Sequence, residues 1–288
     1  MIVLVEPFGT GGGVDVIARP LAAALAVVLD AQVVVDNRPG MGAAAGPALV
    51  AGALADGRTL LMNTSAHAYG AALAEHLPYD PIADFVPVAA VTSQAYVLVA
   101  SPNTGLRSLA DLARAGRSRP GGLSFVSMGV GTGSHVCAAQ INRDLGIDAR
   151  HFPARAEDGI SETIARVAAG EADYMVSPIS IAAQLLTGGA LVAIGVTAAR
   201  RSPLLPEVPT LAEAGAEDFD FPIWYGLWAP AATPGPVVAE LAAAVSEALR
   251  SPELASRFEE HGAEILRLTE TAFADFVTSE VACTRRFA

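Results

Sequence analysis

The chain has 288 residues, 52% apolar and 17% charged, a balance that excludes a disordered polypeptide and matches about two domains of ~100–200 residues each. Its 30 acidic residues outnumber 18 basic ones, and the formal charge of −12 argues against nucleic-acid binding through a general basic surface. All the basic residues are arginine, so lysine phosphate loops, Schiff-base chemistry and lysine general bases are excluded together.

The chain begins with a strand, MIVLV, followed by a turn of five residues of which four are glycine. A helix follows, because Val14, Ile17, Ala18, Leu21, Leu25 and Val28 recur on one helical face. QVVVD is a second strand that ends at the turn signal NRPG. The most apolar window, Met41 to Ala55, is broken by Gly46, Pro47 and Gly52 and falls short of the ~18 residues of a spanning helix, so the chain reads as soluble. RTLLM is a third strand, and Asn63, Thr64 and Ser65 after it are good caps for a helix beginning near Ala68. FVPVAAV and AYVLVAS read as two strands separated by Thr92 to Gln94.

The middle third carries a helix over Leu106 to Arg114, the strand LSFVS, the glycine turn MGVGTGS and a helix from His135 to Leu145. Next come ARHFP, a helix from Asp158 to Ala169, ADYMVS, a helix from Ile179 to Leu186, and LVAIGVT. A proline-marked loop leads to the strand PIWYGLWAP, and after it only helices are expected: Pro234 to Leu249, Pro252 to His261, and Thr271 to the end. Repeated strand–helix units predict parallel sheets with helices on both faces.

Three strand-to-helix turns share one chemistry: PFGTGGGVD, NTSA and SMGVGTGSH. Ligands of open parallel sheets bind at the carboxyl ends of strands, where such turns lie. Bare amides at a glycine turn and the positive end of a helix suit a small anion. The duller reading is a tight connection, and Asp15 in a first helical turn suits the helix dipole as well as it suits a ligand. Glu157 and Asp158 read as a solvated helix start, and Trp224 and Tyr225 as packing. Two cysteines, Cys137 and Cys283, form no disulfide framework, and no metal-ligand spacing occurs around them.

Enzyme readings fare poorly. Neither glycine turn completes the dinucleotide fingerprint, since Ser134 and Val14 stand where its third glycine belongs. Ser134 beside His135 lacks the nucleophile-elbow spacing, and adjacent helical residues do not face one another.

The segments VEPFGTGGGVDVIAR, VVVDNRPGMG, ADGRTLLMNTSAH, LPYDPIADFVPVA, LRSLADL, SFVSMGVGTGSH, GEADYMVS, RSPLLPEVPTLAEAG and WYGLWAPAATP run nearly end to end. In this order they resemble the substrate-binding proteins of tripartite tricarboxylate transporters, the Bug family. The resemblance implies an α/β fold of the type II periplasmic-binding-protein class, with two Rossmann-like lobes joined by two crossing strands and a ligand cleft between them. The crossings then fall near Val97 to Ser101 and near Trp224 to Trp228, so lobe one is 1–99 plus 224–288 and lobe two 100–223. Cys137 and Cys283 belong to different lobes, and no disulfide between them is expected.

The resemblance also implies a site without catalytic residues, metal or cofactor. Its ligand contacts fall on Phe8, Gly9, Thr10, Gly11, Gly12, Gly13 and Asp15 in the first turn, and on Thr64, Ser65 and Ala66 in the second. The second lobe contributes Ser127, Gly131, Thr132, Ser134 and His135. Two departures from the family pattern add candidates. Pro153, Ala154, Arg155 and Ala156 stand where the family usually reads Pro-Tyr-Lys-Gly, which would widen the site for a bulkier acid and offer Arg155 as a cation. Ser177 stands where an aspartate is common, which points away from an amino acid ligand.

The implied function is a periplasmic receptor that captures a small di-, tri- or aromatic carboxylate by lobe closure and delivers it, as a monomer, to the permease of a tripartite transporter. No charged and hydrophobic export signal precedes the first strand, which leaves open a removed signal or a cytoplasmic protein. The alternatives are a cytoplasmic carboxylate sensor and an enzyme acting on a small carboxylic acid.

Overall fold

The computed structural model of the protein describes residues 1–73, 76–155 and 158–284, and the chain divides into two compact units. Unit 1 comprises Met1–Ser93 and Trp224–Ala288, and unit 2 comprises Gln94–Ile223. The elements of the first stretch are β1 (Ile2–Glu6), α1 (Asp15–Val28), β2 (Val33–Asn37), α2 (Ala45–Ala51), β3 (Thr59–Thr64), α3 (Ala66–Leu73) and β4 (Phe85–Ala100). Next come α4 (Leu109–Ser118), β5 (Leu123–Ser127), α5 (Gly133–Leu145), β6 (Ala149–Pro153), α6 (Ile160–Ala168), β7 (Tyr174–Pro178), α7 (Ile179–Thr187) and β8 (Val192–Val196). The chain closes with β9 (Pro222–Pro230), α8 (Gly235–Ala248), α9 (Pro252–Glu259), β10 (Ala263–Ile265) and α10 (Glu270–Thr284).

In unit 1, β1 lies between β2 and β3 and runs parallel to both, while β9 pairs antiparallel with β3. In unit 2, β5 pairs in parallel with β6 and β7, and β4 is antiparallel to both β7 and β8. The parallel pairs expected of strand–helix units are present, and antiparallel pairs occur beside them. The antiparallel pairs all involve β4 or β9, the strands within which the chain changes unit, so the strand–helix rule for parallel neighbours does not govern them.

Three further differences have local causes. Thr92 to Gln94 do not break a strand: Thr92 and Gln94 are 0% and 3% exposed, and β4 runs unbroken through them. The first passage, expected near Val97 to Ser101, accordingly falls inside this strand, between Ser93 and Gln94. α2 forms across Gly46 and Pro47 because Pro47 occupies its first turn, where a missing N–H removes no intrahelical bond. β10 has three residues, too few for a periodic signal, and pairs with β4. No helix among the described residues is long and apolar enough to cross a membrane. Cys137 and Cys283 are both free.

The unit 1 core is aromatic. Trp224, Trp228 and Phe273 are each at most 1% exposed, and Trp228 lies 5.4 Å from Phe273 between ring centroids. Gly226 between the tryptophans admits that ring, since a Cβ there would lie 2.4 Å from Phe273 Cζ. Trp224 Nε1 donates to Glu280 Oε2 at 3.0 Å. Trp224 and Tyr225, at 1% and 0% exposure, are packing residues. Beside them His67 is 2% exposed, with Phe85 and Trp228 both at 4.7 Å and Tyr79 stacked at 6.4 Å. Neither His67 nitrogen reaches a partner at hydrogen-bonding geometry among the described residues. Burial outweighs the pull of the Pro81 carbonyl and lowers the His67 pKa to about 4.

His67 thus resists protonation in the folded state while the unfolded chain takes up a proton near pH 6.5, so its stabilising contribution is present above that pH and lost as pH falls through the window to about 4. His67→Phe keeps a ring in the cage and removes the titration. Between pH 7 and 4.5 the variant is expected to lose about 2–3 kcal/mol less stability than the wild-type chain in urea unfolding. Equal losses in the two proteins would show that His67 titrates normally.

Candidate functional site

The first glycine turn connects β1 to α1 and is held from below by carboxyl groups. Gly11, at φ +77°, takes a backbone conformation that L side chains rarely adopt. Its N–H donates to Asp15 Oδ2 at 2.9 Å. Asp15 is 3% exposed, and its remaining valences go to Arg19 Nε at 2.8 Å, Arg19 Nη2 at 2.8 Å and Asn37 Nδ2 at 3.0 Å. Burial opposes ionisation of Asp15, but the Arg19, Gly11 and Asn37 bonds together hold its carboxyl below the usual range. Asp15 therefore serves the turn itself, and of its two sequence readings the structural one accounts for its bonds.

The turn's amides divide into two groups. Phe8 N–H donates to Glu6 Oε2 at 2.9 Å and Gly12 N–H to the Gly9 carbonyl at 3.1 Å, so these and Gly11 are already engaged within the chain. Gly9, Thr10 and Gly13 have no backbone N–H acceptor among the described residues. Thr10 Oγ1 lies 3.4 Å from Asn37 Oδ1.

The second turn follows β3, whose residues pair in register with β1, so both turns leave the same edge of the unit 1 sheet. Thr64 N–H donates to Asn63 Oδ1 at 2.8 Å, Ala66 N–H to Thr64 Oγ1 at 3.1 Å, and Ser65 N–H to the Trp224 carbonyl at 2.9 Å. Ser65 Oγ is buried and has no partner among the described residues. A buried hydroxyl without a partner loses its solvation for nothing unless something absent from the chain completes it. Unit 1 thus presents three open amides and one orphaned hydroxyl at one sheet edge, all of them neutral donors.

In unit 2 the turn after β5 is knitted by hydroxyls. Ser134 Oγ accepts the Met128 N–H at 3.1 Å and lies 3.1 Å from Thr132 Oγ1, which donates to the Gly129 carbonyl at 2.7 Å. Ser127 Oγ accepts the Gly129 N–H at 3.1 Å and meets His151 Nε2 at 2.7 Å. Gly131 has φ +81°, and its N–H points to His135 Nδ1 at 3.5 Å. The His135 and His151 rings lie 4.5 Å apart, with His151 stacked on Phe125 at 4.7 Å. Burial and then His135 push the His151 pKa down to about 4, and burial lowers that of His135.

His151 was not among the expected residues, and neither was Tyr96. A Cβ on Gly133 would lie 2.0 Å from Tyr96 Oη, so the ring packs directly against the start of α5. No spacing in the sequence links either residue to the turn, because both come from other strands.

The Ser127–His151 contact has the outline of a nucleophile and base. Ser127 is 0% exposed and its Oγ already holds the Gly129 amide, while a base whose pKa is near 4 takes up a proton poorly at neutral pH. The pair is suited to shaping the turn and not to attack. Ser134 is likewise committed to Met128 and Thr132.

The remaining expected residues lie apart from these bonds. Ser177 is 0% exposed, its hydroxyl donating to the Pro178 carbonyl at 3.3 Å. Ala154 N–H donates to the Ser127 carbonyl at 2.7 Å. Arg155 is exposed, and its Nη2 lies 3.7 Å from Glu171 Oε2, an oxygen that Arg166 Nε already bonds at 3.1 Å. Asp158 is not solvated as expected, for its side chain is 12% exposed and 3.7 Å from Arg166 Nη1. Ala156 and Glu157 lie outside the described residues. No group of three or more potential metal ligands occurs among the described residues.

Known proteins share this architecture and sequence. The sequence profile of the tripartite tricarboxylate transporter family receptor, TctC, matches residues 17–287. The UPF0065 protein in the tcbD-tcbE intergenic region of Pseudomonas sp. strain P51 is 35% identical over 97% of this chain and 82% of its own length. Among solved structures, MatC (Rpa3494) from Rhodopseudomonas palustris with bound malate is 32% identical with a TM-score of 0.90, covering 99% of this chain and 98% of its own. R. palustris Rpa4515 with adipate is 28% identical with a TM-score of 0.91, covering 99% and 95%. BugD, a periplasmic binding protein, is 28% identical with a TM-score of 0.90 and covers 99% and 95%. One of these neighbours is a periplasmic binding protein, two hold small organic acids, and the matched family is one of receptors and not of enzymes. By a profile that spans nearly its whole length, this chain belongs to the tripartite tricarboxylate transporter receptor family, whose fold it shares.

Proposed function

We propose that this protein is a periplasmic solute-binding receptor for a small dicarboxylate, which it hands to the membrane permease of a tripartite transporter. The observation that carries the reading is the set of unfilled donors in unit 1: the Gly9, Thr10 and Gly13 amides and the buried Ser65 hydroxyl. Each hydrogen bond from such a donor to an ionised carboxylate is worth roughly 1.5–3 kcal/mol, so three or four of them hold an anion without a cation. MatC and Rpa4515, which bind malate and adipate, support a diacid.

The unit 2 turn, with Thr132, Ser134 and His135, serves binding too, as do Ser127 and Gly131 through the bonds that shape it. Ala154, beside Pro153 where the family usually has tyrosine, leaves room for a larger acid. Arg155, exposed and only loosely paired with Glu171, is free to offer such a ligand a cation. Ser177, with no negative charge to offer a ligand amine, favours hydroxy and simple diacids over amino acids. The excess of acidic residues favours a protein that stays off nucleic acid, and the receptor acts as a monomer.

A thermal-shift screen tests the ligand class. Malate, succinate and adipate are expected to raise the melting temperature and to bind with one-to-one stoichiometry in calorimetry without being consumed, while aspartate and glutamate bind more weakly. At ~100 times its dissociation constant a ligand adds about 2.7 kcal/mol. Turnover of any of these acids, or tight binding of aspartate alone, would refute the reading.

A variant pair tests the donors. Ser65→Ala removes an unpaired hydroxyl and is expected to leave folding stability unchanged or higher while weakening diacid binding about tenfold. Asp15→Ala strips the acceptor from Gly11, Arg19 and Asn37, and is expected to cost about 3 kcal/mol of stability in urea unfolding. If Ser65→Ala binds as tightly as the parent protein, the second turn does not touch the acid.

A further inference from the structure

Glu6, the last residue of β1, belongs to none of the contacts expected to hold a ligand, yet it lies directly under the first turn. It is 0% exposed. Its Oε2 accepts the Phe8 N–H at 2.9 Å, and its Oε1 accepts from Asn37 Nδ2. That amide nitrogen has two hydrogens but three acceptors around it, the others being Asp15 Oδ1 at 3.0 Å and the Phe8 carbonyl at 3.4 Å. Two carboxyl groups therefore converge on one donor.

The charges facing Glu6 do not balance a second anion. From α1 come Asp15 and Arg19, and Arg19 bonds to both oxygens of Asp15 at 2.8 Å. From β2 comes Asn37, while Asp36 alternates to the other face and pairs with Arg38 at 2.8 Å. Arg38 faces Glu6 only through its backbone N–H, which donates to the Glu6 carbonyl at 2.8 Å. One cation thus serves two carboxyl groups, and Asp15 has it. Glu6, fully buried beside Asp15 and without an ion pair of its own, is therefore pushed toward the neutral acid, although the Phe8 and Asn37 amides that donate to it pull the other way.

We infer that Glu6 is a positioning residue that must stay protonated while the turn holds a ligand carboxylate, so that binding takes up a proton wherever the free protein has lost it. The inference rests on the receptor reading above. Neutral Glu6 keeps its oxygen on the Phe8 amide and adds no charge beneath the site, whereas ionised Glu6 places an anion there. Burial, reinforced by Asp15 and opposed by the Phe8 amide, the Asn37 amide and the Arg19 charge, raises the Glu6 pKa to about 8, which puts the transition within experimental reach. A like charge ~8 Å away at an effective dielectric of ~20 moves such an equilibrium about thirtyfold.

Calorimetric titration with malate, succinate and adipate from pH 6.5 to 9 tests this, since all three acids stay ionised over that range. The wild-type chain is expected to show a dissociation constant that rises about five- to tenfold between pH 7 and 9. In two buffers of different ionisation enthalpy at pH 8.5, it should take up about half a proton or more per ligand bound. Glu6→Gln is expected to lose both the slope and the uptake. The proton count on the wild-type protein stands without the variant. Binding with a flat profile and no uptake overturns the inference and leaves the receptor reading intact, and so does a slope that survives in Glu6→Gln. Absence of binding by all three acids at every pH overturns both.

Discussion

A glycine turn offers amides to a ligand only if something else fixes where those amides point. In unit 1 that something is the Asp15 carboxylate, whose two oxygens gather Gly11, Arg19 and Asn37 from the turn, the helix and the neighbouring strand. Glycine supplies conformational freedom, and freedom costs entropy when a ligand must be held. Asp15 removes that cost in the free protein. Its burial is tolerable because the guanidinium lies against it, and the arrangement is pre-organised before any acid arrives.

Unit 2 reaches the same end with different chemistry. Among the described residues no carboxylate bonds to its turn. Three hydroxyls, Ser127, Thr132 and Ser134, close on the Met128 and Gly129 backbone, and His151 anchors the first of them from the next strand. Burial, joined at His151 by the nearby His135, disfavours the charged form of both imidazoles. A hydroxyl network of this kind adapts by rotation, whereas the carboxylate under unit 1 is fixed by bidentate geometry.

Much of this was legible in the sequence, and the boundary between legible and hidden follows sequence distance. The strand–turn–helix order, the glycine turns and the family resemblance depend on neighbouring residues, and the profile match and structural neighbours bear out the family and the fold class. What escaped depends on residues far apart. Asn37 meets Asp15 and Glu6 only because β2 pairs with β1, and His151 meets Ser127 only because β6 pairs with β5. The long strand β4 escaped for another reason: a polar triplet reads as a break when its burial is invisible. Arg155, expected as the missing cation, faces Glu171, a residue that sequence spacing does not connect to it.

The absence of lysine acquires a physical meaning once both turns are in view. A receptor that must release its cargo gains from many moderate bonds in place of one strong ion pair, because neutral donors are separately weak and can be lost one at a time. In a chain with an acidic surplus, the long-range field works against capturing an anion, so selectivity has to come from donors at contact distance. At that distance every unneeded negative charge near the turn competes with the ligand. Pairing Asp15 with Arg19 cancels one such charge, and burying Glu6 where it has no cation of its own suppresses the other. Neutrality under the turn is thus maintained by two opposite devices, an ion pair and a retained proton, and only the second responds to pH near neutrality.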